Sequence, residues 1–296
     1  MLRLRLYRGI EKGVMKFFLY LICFMLLTGV CYPNQEEAVN TEETKNDVLE
    51  NKSEESVSTK HQLEVRFSYD HLSPHGSYGS WETIALKFSS RPWDDFSYFL
   101  ELVPFFRKEG NGVLGVIGAY KDWTTYLYTY SAVSSGSKTD YLPQFRIDHD
   151  FNFKLGKKQT IVWTVGVSYI DYHSDYEDIA VSTGLTLYWK ECVGEYRIFR
   201  NHSSPGNNIS YTHLLSLGYG REKWQWTYLH FYIGKEAYLA TYISPPEKIR
   251  EQFIHIIIDH KHWLKQTWGI FGDVSYFKLW DNYEKYGFTI GLFIEF

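Results

Sequence analysis

The chain has 296 residues with 31 Lys and Arg against 35 Asp and Glu, and a net charge of −4 argues against a nucleic-acid partner. Tyr (25), Phe (20) and Trp (10) make 19% of it aromatic, while the mean hydropathy of −0.33 excludes a bundle of membrane helices. Cys23 and Cys31 lie in an N-terminal apolar segment and Cys192 stands alone in the body, so no internal disulfide framework is expected. Two architectures suit this composition: a β-barrel, whose strands turn every second residue to water, and a soluble aromatic-rich β-sandwich.

Residues 1–31 read as a Sec signal peptide. Arg3, Arg5, Arg8, Lys12 and Lys16 precede the apolar run Phe17 to Val30, which is short for a spanning helix of about 20 residues. Cleavage is expected near Gly29 to Cys31. Thr28-Gly29-Val30-Cys31 departs from a lipoprotein box at Val30, where a small residue is wanted. Residues 32–61 are rich in Glu, Asn, Lys, Ser and Thr, with no aromatic after Tyr32, so a disordered polar linker is expected there.

From residue 62 to the end the period is two. Leu63, Val65, Phe67 and Tyr69 alternate with Glu64, Arg66, Ser68 and Asp70. Phe145, Ile147, Phe151 and Phe153 alternate with Arg146, Asp148, Asp150 and Lys154, and Ile254, Ile256 and Ile258 with His255, Asp259 and Lys261. So many charged faces cannot share one dry core at reasonable cost. They need a wet or densely hydrogen-bonded interior, with the apolar faces turned to lipid.

Turn signals divide 62–296 into about fourteen strands of an all-β, transmembrane, antiparallel up-and-down β-barrel. In the first half they fall at 62–71, 79–90, 95–106, 112–120, 123–134 and 142–153. The second half gives 159–172, 177–190, 194–202, 208–219, 224–233, 251–263, 267–280 and 284–296. The segments 112–120 and 194–202 are short, which leaves twelve strands as the alternative count. Trp93, Trp123, Trp163, Trp189, Trp224, Trp226, Trp263 and Trp268 fall near the expected periplasmic turns, with Trp81 and Trp280 at the other rim, as in an aromatic girdle. The final strand, Phe288-Thr-Ile-Gly-Leu-Phe-Ile-Glu-Phe296, has the spacing of a C-terminal insertion signal carried by Thr289, Gly291, Ile294 and Phe296.

Several stretches carry a family resemblance: Tyr69-Asp-His-Leu-Ser-Pro-His-Gly-Ser-Tyr-Gly-Ser-Trp81, Gly118-Ala-Tyr-Lys-Asp-Trp123 and Asp140-Tyr-Leu-Pro-Gln-Phe-Arg-Ile-Asp-His-Asp-Phe-Asn-Phe-Lys154. Glu195-Tyr-Arg-Ile-Phe-Arg-Asn201, Leu214-Leu-Ser-Leu-Gly-Tyr-Gly220 and Ala237-Tyr-Leu-Ala-Thr241 add to it. Across 62–296 the chain resembles the YaiO-like outer-membrane β-barrel family, itself similar to the barrels that end exopolysaccharide exporters. The resemblance implies a Gram-negative outer-membrane barrel linked to envelope polysaccharide, with no established catalytic residues and no cofactor. The helical repeat domain that such exporters place before the barrel is not evident in this sequence.

The expected polar lumen is lined by Glu64, Arg66, Glu101, Arg146, Asp148, Asp150, Glu195, Arg197, Asp259, Lys261 and Asp273. Asp148 and Asp150, beside Arg146 and Lys154, suit a salt-bridge network better than an acid–base pair. Asn201-His-Ser-Ser-Pro-Gly206 is faintly like the His-x-Ser-Asn of lipid esterases, but Pro-Gly after a strand mainly signals a turn. The acidic group Asp171, His173, Asp175, Glu177 and Asp178 reads as a solvated outer turn, and His260 and His262 as membrane-interface residues lacking a third metal ligand. The long connection 234–250 holds Tyr238, Tyr242, Pro245 and Pro246, which suit stacking on sugars or plugging the lumen.

The expected function is a non-catalytic passage or surface component for envelope polysaccharide. The alternatives are a lipid- or glycan-modifying barrel enzyme (an esterase or deacylase) and a structural or adhesion barrel with a plugged lumen. Expected partners are outer-membrane lipid and lipopolysaccharide, the barrel-assembly machinery and a polysaccharide.

Overall fold

The computed structural model describes residues 61–236, 251–280 and 282–296. The expected signal peptide, the linker up to residue 60, and Tyr238, Tyr242, Pro245 and Pro246 lie outside them. The described residues form fourteen antiparallel strands closed into one barrel. In chain order β1 to β7 are His61–Ser73, Ser80–Trp93, Phe96–Arg107, Gly112–Thr124, Leu127–Gly136, Pro143–Leu155 and Ile161–Tyr172. Strands β8 to β14 are Glu177–Trp189, Cys192–Ser204, Asn208–Arg221, Gln225–Glu236, Glu251–Lys265, Trp268–Leu279 and Tyr283–Glu295. One helical turn, α1 (His75–Tyr78), follows β1. The count of twelve is excluded, because 112–120 and 194–202 are the cores of full-length strands.

Each strand pairs with its sequence neighbours, and β1 closes the ring on β14. That seam runs from Gln62 opposite Glu295 to Ser73 opposite Glu284. It is fastened by Ser68 Oγ to Thr289 Oγ1 at 2.8 Å and by two bonds between the backbones of His61 and Phe296. His61 and Phe296 mark one rim, termed here the near rim. Its turns are short, as at 94–95 and 125–126, whereas the opposite far rim carries 74–79 and 137–142.

Ile290 and Leu292 are 62% and 57% exposed on the barrel's convex wall, beside Val65 and Phe67 of β1. An apolar belt this large is stable only against lipid. No helix among the described residues is long and apolar enough to cross a membrane, so the strands do the spanning.

The tryptophans divide differently from the expected girdle. Trp93 (64% exposed), Trp123 (61%), Trp163, Trp189, Trp224 and Trp268 stand on the outer wall near the near rim. Trp263 and Trp81 are buried at 6% and 7%, and Trp226 stacks on Tyr228 inside the barrel. The ladder explains the departure: Trp263 opposes Gly269, Trp81 opposes Asp70, and Trp226 opposes Gly220, all on the concave face. Nearness to a strand end was visible in the sequence, but the side of the sheet was not.

Candidate functional site

The concave wall is where charged side chains collect. Register places all eleven expected lumen residues on it, and six of them form ion pairs with one another, Arg66 with Glu101, Arg146 with Asp148 and Arg197 with Asp150. Arg66 pairs with Glu101 across β2, passing over Ala85, whose small side chain leaves room. Arg146 makes a two-point contact with Asp148 at 2.8 and 3.0 Å, and Ser168 donates to the same carboxylate at 2.6 Å. Lys154 reaches Asp122 at 2.9 Å. Lys285 reaches Asp70 at 3.2 Å, and Lys223 bonds Glu295. Gln62 donates to Glu64 and receives Lys261 at 3.4 Å, while Lys261 also lies 4.1 Å from the Phe293 ring centre. Glu195 sits between Thr186 and Ser216, and Asp273 opposes Asp259 and bonds Thr289.

One link across several strands was not visible in the sequence. Arg197 of β9 extends over Ser182 of β8 and Gly166 of β7 to grip Asp150 of β6 at 2.5 and 3.0 Å. A Cβ on residue 166 would stand 2.0 Å from the Asp150 carboxylate and 2.4 Å from the guanidinium. Gly166 is therefore the passage that lets one ion pair strap four strands. With both side chains only 16–17% exposed, the two-point geometry is what offsets their desolvation.

Glycine plays a second part beneath aromatic rings. Phe99 lies over Gly118, Tyr228 over Gly218 and Phe271 over Gly291, each ring 2.3 Å from where a Cβ would be. With no Cβ beneath them, these three rings lie down on the wall instead of projecting across the bore. Phe99 then stacks parallel to Tyr130 (6.5 Å, 8°), and Tyr130 meets Tyr120 at 4.9 Å. Tyr228 continues into His230 at 5.6 Å and 6°. These rings border water: Tyr120 and Tyr188 point inward yet are 46% and 47% exposed. Beside Phe99, Tyr120 and Tyr130 a cavity of about 390 Å³ opens at the near rim, with Gln62, Lys87 and Glu101 in its wall.

The far mouth has the opposite character. Leu72, Trp81, Phe253, Phe277, Leu279 and Tyr283 form a dry cluster, and Tyr78 of α1 packs on Tyr283 at 5.2 Å. Arg107 lies 4.0 Å from both the Trp81 and Tyr141 ring centres, tying the 137–142 loop to that cluster. Burial of Tyr141 pushes its hydroxyl above the ordinary tyrosine range, against the pull of Arg107, and it donates to Gly110 O at 2.8 Å.

The esterase-like stretch does not assemble. His202 and Ser203 are successive residues of β9, so they face opposite sides of the wall; His202 bonds Asn207 at 2.5 Å and Ser203 is buried. Asn207, at φ 56°, and Gly206, at φ 104°, make the turn there. A different line does form: Ser216 Oγ to His230 Nδ1 at 2.7 Å, and His230 Nε2 to Asp259 at 2.8 Å. Ser216 is 4% exposed and sits within a continuous ladder whose N–H groups are spent on strand pairing. A nucleophile needs access and an oxyanion donor, so this line is a relay that fixes three side chains. Sequence reading had no signal for it, because the three residues are distant in the chain and join only through register.

The expected acidic turn is the connection from β7 to β8, where Asp171 opposes Glu177 and Asp175 is exposed; His173 bonds Gly136 O at 2.9 Å, and Asp178 points inward opposite Ser203. No group of metal-ligating side chains occurs among the described residues. His260 bonds Thr227 at 2.8 Å and stacks on His262 on the outer wall. Of the expected insertion-signal residues, Thr289 and Gly291 face inward, while Ile294 and Phe296 are 48% and 60% exposed outside.

Solved structures with the same architecture share little sequence. The CymD monoaromatic hydrocarbon channel matches with a TM-score of 0.54 at 7% identity, covering 80% of this chain and 88% of that one. A bacterial polysaccharide outer membrane secretin matches at 0.51 and 7%, covering 81% and 99%. Omp33 of Acinetobacter baumannii matches at 0.50 and 9%, covering 80% and 99%. At such identity the likeness concerns the fold. No curated protein matches the sequence. The model of the YaiO membrane β-barrel domain matches residues 60–239, more than half of the chain, and this protein is a member of that family.

Proposed function

We propose that this protein is a non-catalytic outer-membrane passage or surface component for envelope polysaccharide, delivered by a Sec signal peptide, with the near rim facing the periplasm. The observation that carries the reading is the set of rings laid flat on the inner wall over Gly118, Gly218 and Gly291. Sugars present apolar faces edged by hydroxyls, and they bind where flat rings alternate with polar side chains. The cavity bounded by Phe99, Tyr120 and Tyr130, with Gln62, Lys87 and Glu101 beside them, has both. Paired charges along the bore let a hydrated chain pass without trapping it on a lone ion. Insertion through the final strand, with Ile294 and Phe296 turned to lipid and the barrel-assembly machinery and lipopolysaccharide as partners, belongs to the same reading.

The test is single-channel recording of the full chain in planar bilayers, with oligosaccharides added on one side. A steady conductance that oligosaccharide blocks, and that Phe99→Ala makes harder to block, is the expected outcome. A barrel that neither conducts nor retains any oligosaccharide would overturn the reading.

A further inference from the structure

On the outer wall of β4, β5 and β6 lies a groove of about 450 Å³ walled by Trp93, Phe96, Ala119, Lys121, Trp123, Thr129, Ser131 and His149. Its depth comes from small residues: Ala119 opposes Ser131, and Ser131 opposes His149, in three adjacent strands whose neighbouring outward positions are bulky. Its polarity is unusual for a wall that faces lipid. Ser131 Oγ and His149 Nδ1 are 2.8 Å apart, and Trp123 Nε1 donates to Thr129 at 2.9 Å. His149 Nε2 has no partner among the described residues. Toward the rim the groove ends on an ion pair, Lys121 with Asp95.

We infer that this groove holds one zwitterionic glycerophospholipid, with the headgroup phosphate on Lys121, its ammonium on Asp95, and an acyl-ester carbonyl on His149. The charge pattern selects that occupant. A cation and an anion side by side at the rim complement a phosphate and an ammonium, where an anionic headgroup would meet Asp95 unfavourably. The spacing agrees: Ala119 and Ser131 lie two residues deeper than Lys121 and Thr129, about 7 Å along the strands. Trp93 and Trp123 flank the headgroup level, where indoles settle in a bilayer. Beyond Ile117 and Val133 a second groove of about 470 Å³, lined by Leu86, Leu100, Leu102 and Gly115, continues the path for an acyl chain. An ester carbonyl also satisfies the unpaired imidazole nitrogen, which bare hydrocarbon cannot.

Native mass spectrometry of the full chain, extracted in mild detergent and incubated with phosphatidylethanolamine or phosphatidylglycerol of matched acyl chains, tests this. The expected result is one retained phosphatidylethanolamine, favoured about tenfold over phosphatidylglycerol. Ser131→Phe, which fills the groove, abolishes retention. Asp95→Asn, at the rim and away from the packed wall, removes the preference while leaving the barrel closed. Equal retention of both lipids by the wild-type chain, retention unchanged in Ser131→Phe, or a preference unchanged in Asp95→Asn would overturn the assignment. So would a dimer that Ser131→Phe dissociates without any lipid being lost, since the groove would then be a contact between copies.

Discussion

The near half of the bore and the far mouth are built from the same residue types to opposite ends. Near the rim of His61 and Phe296, tyrosines line the lumen half exposed, sharing a 390 Å³ cavity with Lys87, Glu101 and Gln62. At the far mouth, Leu72 (0% exposed), Leu279 (2%) and Tyr283 (4%) have no water beside them, and Arg107 is sandwiched between Trp81 and Tyr141. An aromatic ring over a glycine lies flat and leaves the bore open. At the far mouth the rings pack on one another, Phe277 on Phe253 and on Tyr283, each at 5.7 Å, and fill it. One composition thus supplies both a wet wall and a dry stopper.

The strap between β9 and β6 should be the most sensitive point of this contrast. Arg197→Leu strands Asp150, 17% exposed, without its partner and is expected to cost about 3–5 kcal/mol. Gly166→Leu should do comparable damage by steric means. Both are read from urea unfolding of the barrel in lipid vesicles, and the double variant should be less than additive because one contact is lost twice. At the far mouth, Leu72→Ala removes a fully buried side chain and should cost about 2–4 kcal/mol while raising single-channel conductance. Unchanged conductance with the stability loss would show that the dry cluster braces the wall and does not close it. In the near half, Phe99→Ala or Tyr120→Ala should leave stability within about 1 kcal/mol and weaken oligosaccharide block roughly three- to tenfold. The smallest effect belongs to the near-rim turn. The hydrogen bond from Lys121 holds the Asp95 carboxyl below its ordinary value of 3.8. A depressed folded value means the contribution is present above pH 3.8 and is lost as pH falls through the lowered value. Wild type and Asp95→Asn should therefore differ slightly in stability above about pH 4 and converge below it. The side chain is fully solvated, so the difference should also fade in salt.

Strand existence and count were legible because period-two alternation is a local signal: Leu63 against Glu64, or Phe151 against Asp150, shows two faces within a few residues. The same alternation put Arg146, Asp148 and Asp150 on one face. Their partners were not legible. Nothing between Asp150 and Arg197 in the chain announces that Gly166 and Ser182 will lie under the bridge, because that depends on the stagger of three successive ladders. The inward Trp81, Trp226 and Trp263 were missed for a related reason. Near a strand end the alternation is short, and an indole is at home both at a membrane interface and in a packed cluster. The groove on the outer wall combines both difficulties, since Ala119, Ser131 and His149 belong to three strands and look unremarkable singly.

Ser68 and Thr289 are 221 residues apart, and their hydrogen bond lies in the seam that shuts the ring. Until β14 arrives, β1 has one edge with no partner, although every other strand can pair with a sequence neighbour as it forms. An unpaired edge recruits stray strands, and joining ends so far apart carries a conformational cost that local hairpins do not repay. Assembly of this molecule is accordingly a problem of register: the open edge of β1 has to receive β14 so that Gln62 meets Glu295 and not the residue beside it. A slip of one position would turn Ile290 and Leu292 inward and Thr289 and Glu295 out to lipid, inverting the closing strand.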